Sequence, residues 1–302
     1  MPSKKIRYEE PAKIQEKTAE IIFEADRIIT DFRGQGYDLT VRQLFYQFVG
    51  TQPLSKPFEN SEKNYKKLVT IVSNGRLWGM LDWDAVVNRT RSLDGNSHWE
   101  NPRHLIQWAS EGFAINKWED QSLHVEVWVE KDALKGVVGR VCAELDLDHF
   151  SCRGYPSLTS MWEASQRLRE QREKGKKNVI LHLGDHDPSG LDMSRDIQDR
   201  LLTFGVPIEL RRIALNRDQV DALGLVPNPT KLTDSRAADY IRQHGHESWE
   251  LDALDPSFIS DLIRNEVASL RDDGLYSQRQ DIEDQYRGEL AVMINGFEEG
   301  LN

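Results

Sequence analysis

The chain has little with which to cross-link or anchor itself. Only two of its 302 residues are cysteine, Cys142 and Cys152. Two thiols cannot staple a chain this long or complete a zinc site, so a disulfide scaffold and a zinc finger are excluded and both are read as small core residues. No stretch approaches the roughly 20 consecutive apolar residues of a membrane-spanning helix, and the mean hydropathy is −0.61. The opening MPSKKIRYEEPAKIQEK lacks the short apolar core and small-residue cleavage site of a secretory signal, which predicts a cytosolic protein. Positive charge is scarce as well: 39 Lys and Arg stand against 50 Asp and Glu, a net charge of −11. That balance argues against a histone-like protein that coats nucleic acid. Internal repeats and low-complexity tracts are missing too. What remains, 38% hydrophobic and 29% charged, is the composition of a globular protein, long enough for about two domains.

The charge is unevenly placed. Residues 1–120 hold 17 basic and 17 acidic residues, so the remaining 22 and 33 put the whole deficit in residues 121–302. Within residues 41–80, Arg42, Lys56, Lys63, Lys66, Lys67 and Arg76 face only Glu59 and Glu62. A basic island on an acidic chain suggests a local anion site, although a solvated helix face reads the same way.

Apolar spacing predicts a first helix from about Glu10 to Phe32, closed by Gly34 and Gly36, and a second over Val41 to Val49 with Thr40 as cap. A third runs from near Ser61 to Asn74-Gly75. With a hairpin possible in the WGMLDWDAVVNRTR segment, three short helices fit a helix-turn-helix with a wing. On the third helix Tyr65, Leu68, Val69 and Val72 share one side. Lys63, Lys66, Lys67, Thr70 and Asn74 share the other, with Arg76 close by, which suits contact with phosphates and base edges. Ordinary amphipathic helices share this pattern.

After a Trp-rich connection the texture changes to alternating strands and helices. Strands are predicted at His124–Val129, Phe150–Cys152, Asn178–Gly184 and Pro207–Ala214, with helices at Asp132–Glu144, Ser157–Lys174 and Gly190–Phe204. Such alternation implies a parallel sheet that binds ligands at the carboxyl ends of its strands. From Asp255-Pro256 onward one or two helices are expected.

Acids stand at two of those strand ends. Glu130 closes VEVWVEKDAL, and Asp185 and Asp187 follow the strand in VILHLGDHDPSGLDM. Alternation in an extended segment points Asp185 and Asp187 the same way and His186 the other. If the two strands are neighbours, three carboxylates converge. Such a cluster raises its members' pKa unless a cation holds it, and oxygen-only ligands select Mg²⁺ or Mn²⁺. The alternative is acids that merely cap the following helices. His244 and His246 form an HxH in a Gly-containing loop and are not read as ligands. Lys231 and Arg236, in NPTKLTDSRA, could touch phosphate but are not read as site residues.

With EKDA at 130–133, RGYPS at 153–157 and GDHDPSG at 184–190, the sequence resembles the TOPRIM domain. More specifically it resembles the A subunit of topoisomerase VI and the related meiotic double-strand-break proteins. The resemblance implies a role for Glu130 in metal binding and acid-base work, and for Asp185 and Asp187 as metal ligands. It also asks for an upstream winged helix with a nucleophilic tyrosine, and TVRQLFYQF at 40–48 answers with Arg42 and Tyr46. By helix period alone Tyr46 lies about 140° from the middle of the apolar stripe Val41, Leu44, Phe45, Phe48, beside Arg42. An adjacent guanidinium would favour phenolate and hold the phosphate.

The expected architecture is thus α/β: a mostly helical winged-helix domain over residues 1–93, a connection over 94–121, and a Rossmann-like TOPRIM domain with a central parallel sheet and C-terminal helices over 122–302. The N-terminus is too short for the extension by which topoisomerase VI A subunits engage their ATPase partner, and stand-alone Mini-A-like proteins of bacteria and mobile elements look more similar. The expected function is Mg²⁺- or Mn²⁺-dependent binding and cleavage of double-stranded DNA by a nucleoid-associated homodimer, with Tyr46 attacking the phosphodiester. Two alternatives stay open: a hydrolytic TOPRIM nuclease that does not use Tyr46, and a DNA-binding subunit of a defence or mobile-element system that cuts only with a partner protein.

Overall fold

The computed structural model describes residues 5–11, 13–51, 54, 58–83 and 98–299. Three helices come first: α1 (Glu16–Gly34), α2 (Val41–Thr51) and α3 (Glu62–Leu77). Their apolar faces make one core, in which Ile22, Ile29, Leu44, Phe48, Leu68 and Val72 are buried. Ser61 caps α3 by accepting from the Asn64 N–H at 3.3 Å, which fixes where the helix starts. Ile71 and Gly75 join Leu68 and Val72 on the buried face, while Tyr65 and Val69 are half-buried at its edges. Of the expected wing, Trp78 bridges antiparallel to Arg7, and the Trp83 indole donates to the Ile6 carbonyl. Residues 84–91 of it lie outside the described residues. The expected connection contains a helix, α4 (Pro102–Glu111), started by Asn101 as cap with proline in the first turn.

The alternating region is a four-stranded, all-parallel sheet flanked by helices, so the chain is of mixed α/β class. In order come β1 (Leu123–Val129), a 3-10 turn (Asp132–Leu134), α5 (Lys135–Leu145), β2 (Asp148–Ser151), α6 (Leu158–Glu173), β3 (Lys177–Leu183), α7 (Pro188–Thr203) and β4 (Glu209–Ala214). Then follow α8 (Arg217–Leu223), β5 (Asn228–Pro229), α9 (Ala237–His244), β6 (Glu247–Ser248), a second 3-10 turn (Leu251–Ala253), α10 (Pro256–Leu270) and α11 (Asp273–Glu299). The small elements from α8 to β6 carry too few residues for a periodic signal and were not expected. Asp255 caps α10, accepting from the Ser257 N–H at 2.8 Å.

Strand order is β2-β1-β3-β4. Period-two alternation sorts the side chains: Val125, Val127, Val129, Val179, Leu181 and Leu183 pack with α5 and α10, and Trp128 and Ile180 pack with α6 and α7. The chain runs from β1 outward to β2 and returns past it to β3. The β1/β3 junction is therefore the switch point of the sheet, where the carboxyl ends of the strands leave a crevice. Cys142 and Cys152 are both buried free thiols. No helix among the described residues is long and apolar enough to cross a membrane.

Candidate active site

Register brings the first two acids together. β1 and β3 pair in parallel with Val129 opposite Leu183, and the Glu130 N–H donates to the Leu183 carbonyl at 2.8 Å. One residue beyond β1, Glu130 Oε2 accepts at 2.8 Å from the N–H of Asp185, two residues beyond β3. The loop after β3 then turns sharply into α7. Asp187 caps that helix, its Oδ1 accepting from the Gly190 N–H at 2.7 Å and the Ser189 hydroxyl at 3.0 Å. Gly190 has to be glycine, because a Cβ there would overlap the Asp185 carbonyl oxygen. Arg212, from β4, ties the loop down, donating to the carbonyls of Gly184, Asp185 and Gly190 at 2.7 to 2.9 Å. His186 faces the other way, its Nδ1 2.9 Å from the Tyr240 hydroxyl.

Lys131 follows Glu130 and collects three carboxylates: Asp185 at 3.1 Å, Glu250 at 2.9 Å and Asp252 at 3.2 Å. The second Asp185 oxygen accepts from the Leu251 N–H at 2.7 Å. Glu250, just before the second 3-10 turn, also takes Arg42 of α2, whose Nη2 lies 2.7 and 2.8 Å from its two oxygens. A continuous chain of charge thus runs from Asp185 through Lys131 and Glu250 to Arg42. Its guanidinium sits 5.8 Å from the Tyr46 ring centre and 5.1 Å from that of Tyr65. Asn60, ahead of α3, donates to Asn228 at 2.6 Å and adds a second bridge between the two halves of the chain.

Electrostatics follow from burial. Burial raises the pKa of Glu130, and the charge on Asp187 adds to the rise against the pull of the Asp185 N–H. Burial likewise pushes Asp185 up to about 7, with Lys131 opposing and Glu130 adding. Glu250 is held down at about 2: burial acts against it, but Lys131 and Arg42 outweigh that. Lys131 is raised despite its burial by Asp185, Asp252 and Glu250. The Tyr46 phenol is pushed up to about 12, first by burial and then by the Glu250 charge, while Arg42, the Asn228 side chain and Lys131 pull the other way.

Three sequence expectations change here. Tyr46 does not point into solvent: it is 5% exposed, because the 3-10 turn at Leu251–Ala253 packs across the outer side of α2. Helix period predicts a face, and a distant segment covers it. On α3, Lys63, Lys66, Lys67 and Thr70 are exposed as expected of an outward face, with Lys66 paired to Glu62 at 2.7 Å, whereas Asn74 and Arg76 are half-buried near the helix end. Lys231 lines the cavity described below, while Arg236 is engaged by Asp234 and Asp192 at 2.8 and 2.9 Å, beside the Tyr155 hydroxyl. Lys131, Arg212, Glu250 and Asp252 were missed as site residues. Lys131 was visible beside Glu130, but in an acidic half of the chain nothing distinguishes Glu250 and Asp252 from surface acids.

A divalent cation fits this donor set in kind. The acids supply only oxygen, and Glu130 and Asp185 sit at raised pKa beside one another, a condition that a cation relieves. Glu130 Oε1 and Asp187 Oδ2 accept no hydrogen bond among the described residues. Among those residues no three His, Cys, Asp or Glu side chains are arranged to enclose an ion unaided, so part of the coordination would fall to water and to substrate oxygen, as is usual for Mg²⁺.

No protein-family model matches the sequence, and no curated protein is significantly similar to it.

Proposed function

We propose that the protein is a Mg²⁺-dependent DNA-cleaving protein built like the topoisomerase VI A subunit, with residues 1–93 as a winged-helix domain and the sheet of residues 122–302 as a TOPRIM domain. The observation that carries this reading is the meeting, at the switch point of a parallel sheet, of Glu130 and Asp185 on adjoining strand ends, linked through Lys131 and Glu250 to Arg42 beside Tyr46. Glu130 and Asp187 would hold the ion, with Asp185 shared between it and Lys131. Such an ion stabilises the charge that develops on a phosphate as it is displaced.

The remaining work falls to the chain's own groups. Lys63, Lys66 and Lys67 seat the duplex backbone on the exposed face of α3. Arg42 and Lys131 orient a phosphate between α2 and the sheet. Tyr46 Oη, its proton lost to solvent, attacks phosphorus, the bond to the 3′ oxygen breaks, and a 5′-phosphotyrosyl end remains, with Glu130 as the acid-base group that would return a proton to the leaving oxygen. The resemblance implies a homodimer in which each tyrosine serves the other subunit's acids. Within its own chain Tyr46 is linked to those acids only indirectly, through Arg42, Glu250 and Lys131.

Burial of Tyr46 favours a second reading, hydrolysis by water with Tyr46 as a packing residue. Incubating duplex DNA with protein and Mg²⁺ or EDTA, beside Tyr46→Phe and Asp185→Ala, separates the two. Metal-dependent protein-linked 5′ ends that disappear in both variants are expected. Cleavage that survives Tyr46→Phe establishes the hydrolytic nuclease, and no cutting without an added partner protein supports a subunit role.

A further inference from the structure

Between α2 and the carboxyl edge of the sheet lies a cavity of about 280 Å³ lined by Arg42, Lys131, Asp185, Lys231, Glu250 and Asp252. Its lining holds three cations and three acids and is formally neutral. The cations are not equally engaged. Lys231 is exposed and makes no ion pair among the described residues. Arg42 meets Glu250 through Nη2 alone, so the planar fork that suits a phosphate is not used on a carboxylate. Lys131 would keep Asp185 and Asp252 if Glu250 withdrew.

Glu250 differs from the other two acids. Asp185 and Asp252 are buried, whereas the Glu250 side chain is 24% exposed and stands at the cavity with an open path to water. Its two oxygens lie where Arg42 and Lys131 can both reach an anion.

We propose that this cavity is a phosphate-binding site that the Glu250 carboxylate fills in the unliganded protein, so that Glu250 sets the site's affinity by competing with the incoming phosphate for Arg42 and Lys131. That the phosphate belongs to a DNA backbone rests on the function proposed above; the anion site itself does not. Displacing Glu250 exchanges one anion for another on the same two cations and adds Lys231 as a third. It also releases the link that holds α2, and Tyr46 with it, against the sheet edge.

The test measures binding of two probes, inorganic phosphate by calorimetry and a labelled 20-base-pair duplex by anisotropy, both in EDTA, on the full chain and its Glu250→Gln, Glu250→Asp and Lys231→Ala variants. Neutralising Glu250 leaves the lining at +1 and Arg42 without its carboxylate. Glu250→Gln should therefore bind inorganic phosphate about tenfold more tightly, roughly 1.4 kcal/mol by the affinity relation. Glu250→Asp, too short to span both cations, should fall between, and Lys231→Ala should weaken phosphate binding. Equal or weaker phosphate binding by a folded Glu250→Gln protein overturns the proposal, because it makes Glu250 a positioning group instead. Should Glu250→Gln fail to show a melting transition, Glu250→Asp decides, and binding no tighter than wild type has the same meaning. Tighter phosphate binding with no duplex binding by any protein keeps the anion site and removes the DNA reading. Duplex binding that Glu250→Gln leaves unchanged, with phosphate affinity unchanged, does the reverse.

Discussion

Replacing Tyr46 with phenylalanine removes one oxygen from the junction between α2 and the sheet edge, and the structure fixes what should follow. The phenol is held at about 12, so at pH 7.5 its ionised fraction is on the order of 10⁻⁵, and reaching phenolate costs about 6 kcal/mol at 1.36 kcal/mol per unit. If phenolate attacks phosphorus, formation of protein-linked ends should rise about tenfold per pH unit from 7.5 to 9.5, roughly 100-fold across the window. Asp185, at about 7, is already about three-quarters ionised at pH 7.5, so its titration changes the rate by no more than about 1.3-fold across that window. Single-turnover reactions on a 3′-labelled duplex, resolved on denaturing gels at each pH, give the slope. Tyr46→Phe should form no linked ends, yet lose at most about 1 kcal/mol of stability, since one hydrogen-bonding group is removed and the ring stays packed. A flat pH profile in the wild type, or linked ends in the phenylalanine variant, would refute the assignment of Tyr46 as nucleophile.

Other variants probe the surroundings. Asp185 is raised above its unfolded value of about 3.8, so its ionisation costs stability as pH climbs from there through about 7. Asp185→Asn should thus melt higher than wild type at pH 8, show a smaller gain at pH 5 and none near pH 3, and lose cleavage throughout; a lower melting temperature at pH 8 contradicts the like-charge argument. Glu126, buried in β1, is held at about 2 because Arg167 at 2.7 Å, His124 and the Trp128 indole outweigh the effect of its burial. Its contribution, on the order of 3 kcal/mol, is fully present above about 4.5 and lost as pH falls through 2. Urea midpoints of Glu126→Gln and wild type should differ widely at pH 6 and converge near pH 2. Changing Lys63, Lys66 and Lys67 together to glutamine should lower the slope of log affinity against log salt by about 2 to 3, near 0.9 per lost phosphate contact; an unchanged slope moves the duplex off α3.

Elements whose signal is local were legible in the sequence. β1 and β3 are continuous apolar runs because both faces are covered, and their ends fall within a residue of expectation. The caps at Ser61, Ser157 and Asp255 mark helix starts by the same side-chain bonds that the sequence advertises. Glu130 and Asp185 could be placed together because a parallel sheet brings strand ends to one edge, while Asp187 serves as the cap of α7. The surroundings that govern those acids were not legible, because they arrive from far along the chain. Arg42 and Glu250 are 208 residues apart, and no periodicity joins them.

Arg42 lies on α2 just before Tyr46, Glu250 just before a 3-10 turn that covers that tyrosine, and Lys131 just after Glu130. One carboxylate therefore touches the element that carries the candidate nucleophile and the element that carries the candidate metal ligands. Any anion that takes its place acts on both at once. On the proposed reading, a phosphate taken up by Arg42 and Lys131 would stand where the Glu250 carboxylate stands, so the ion pairs that join the two halves of the chain would also position the substrate phosphate.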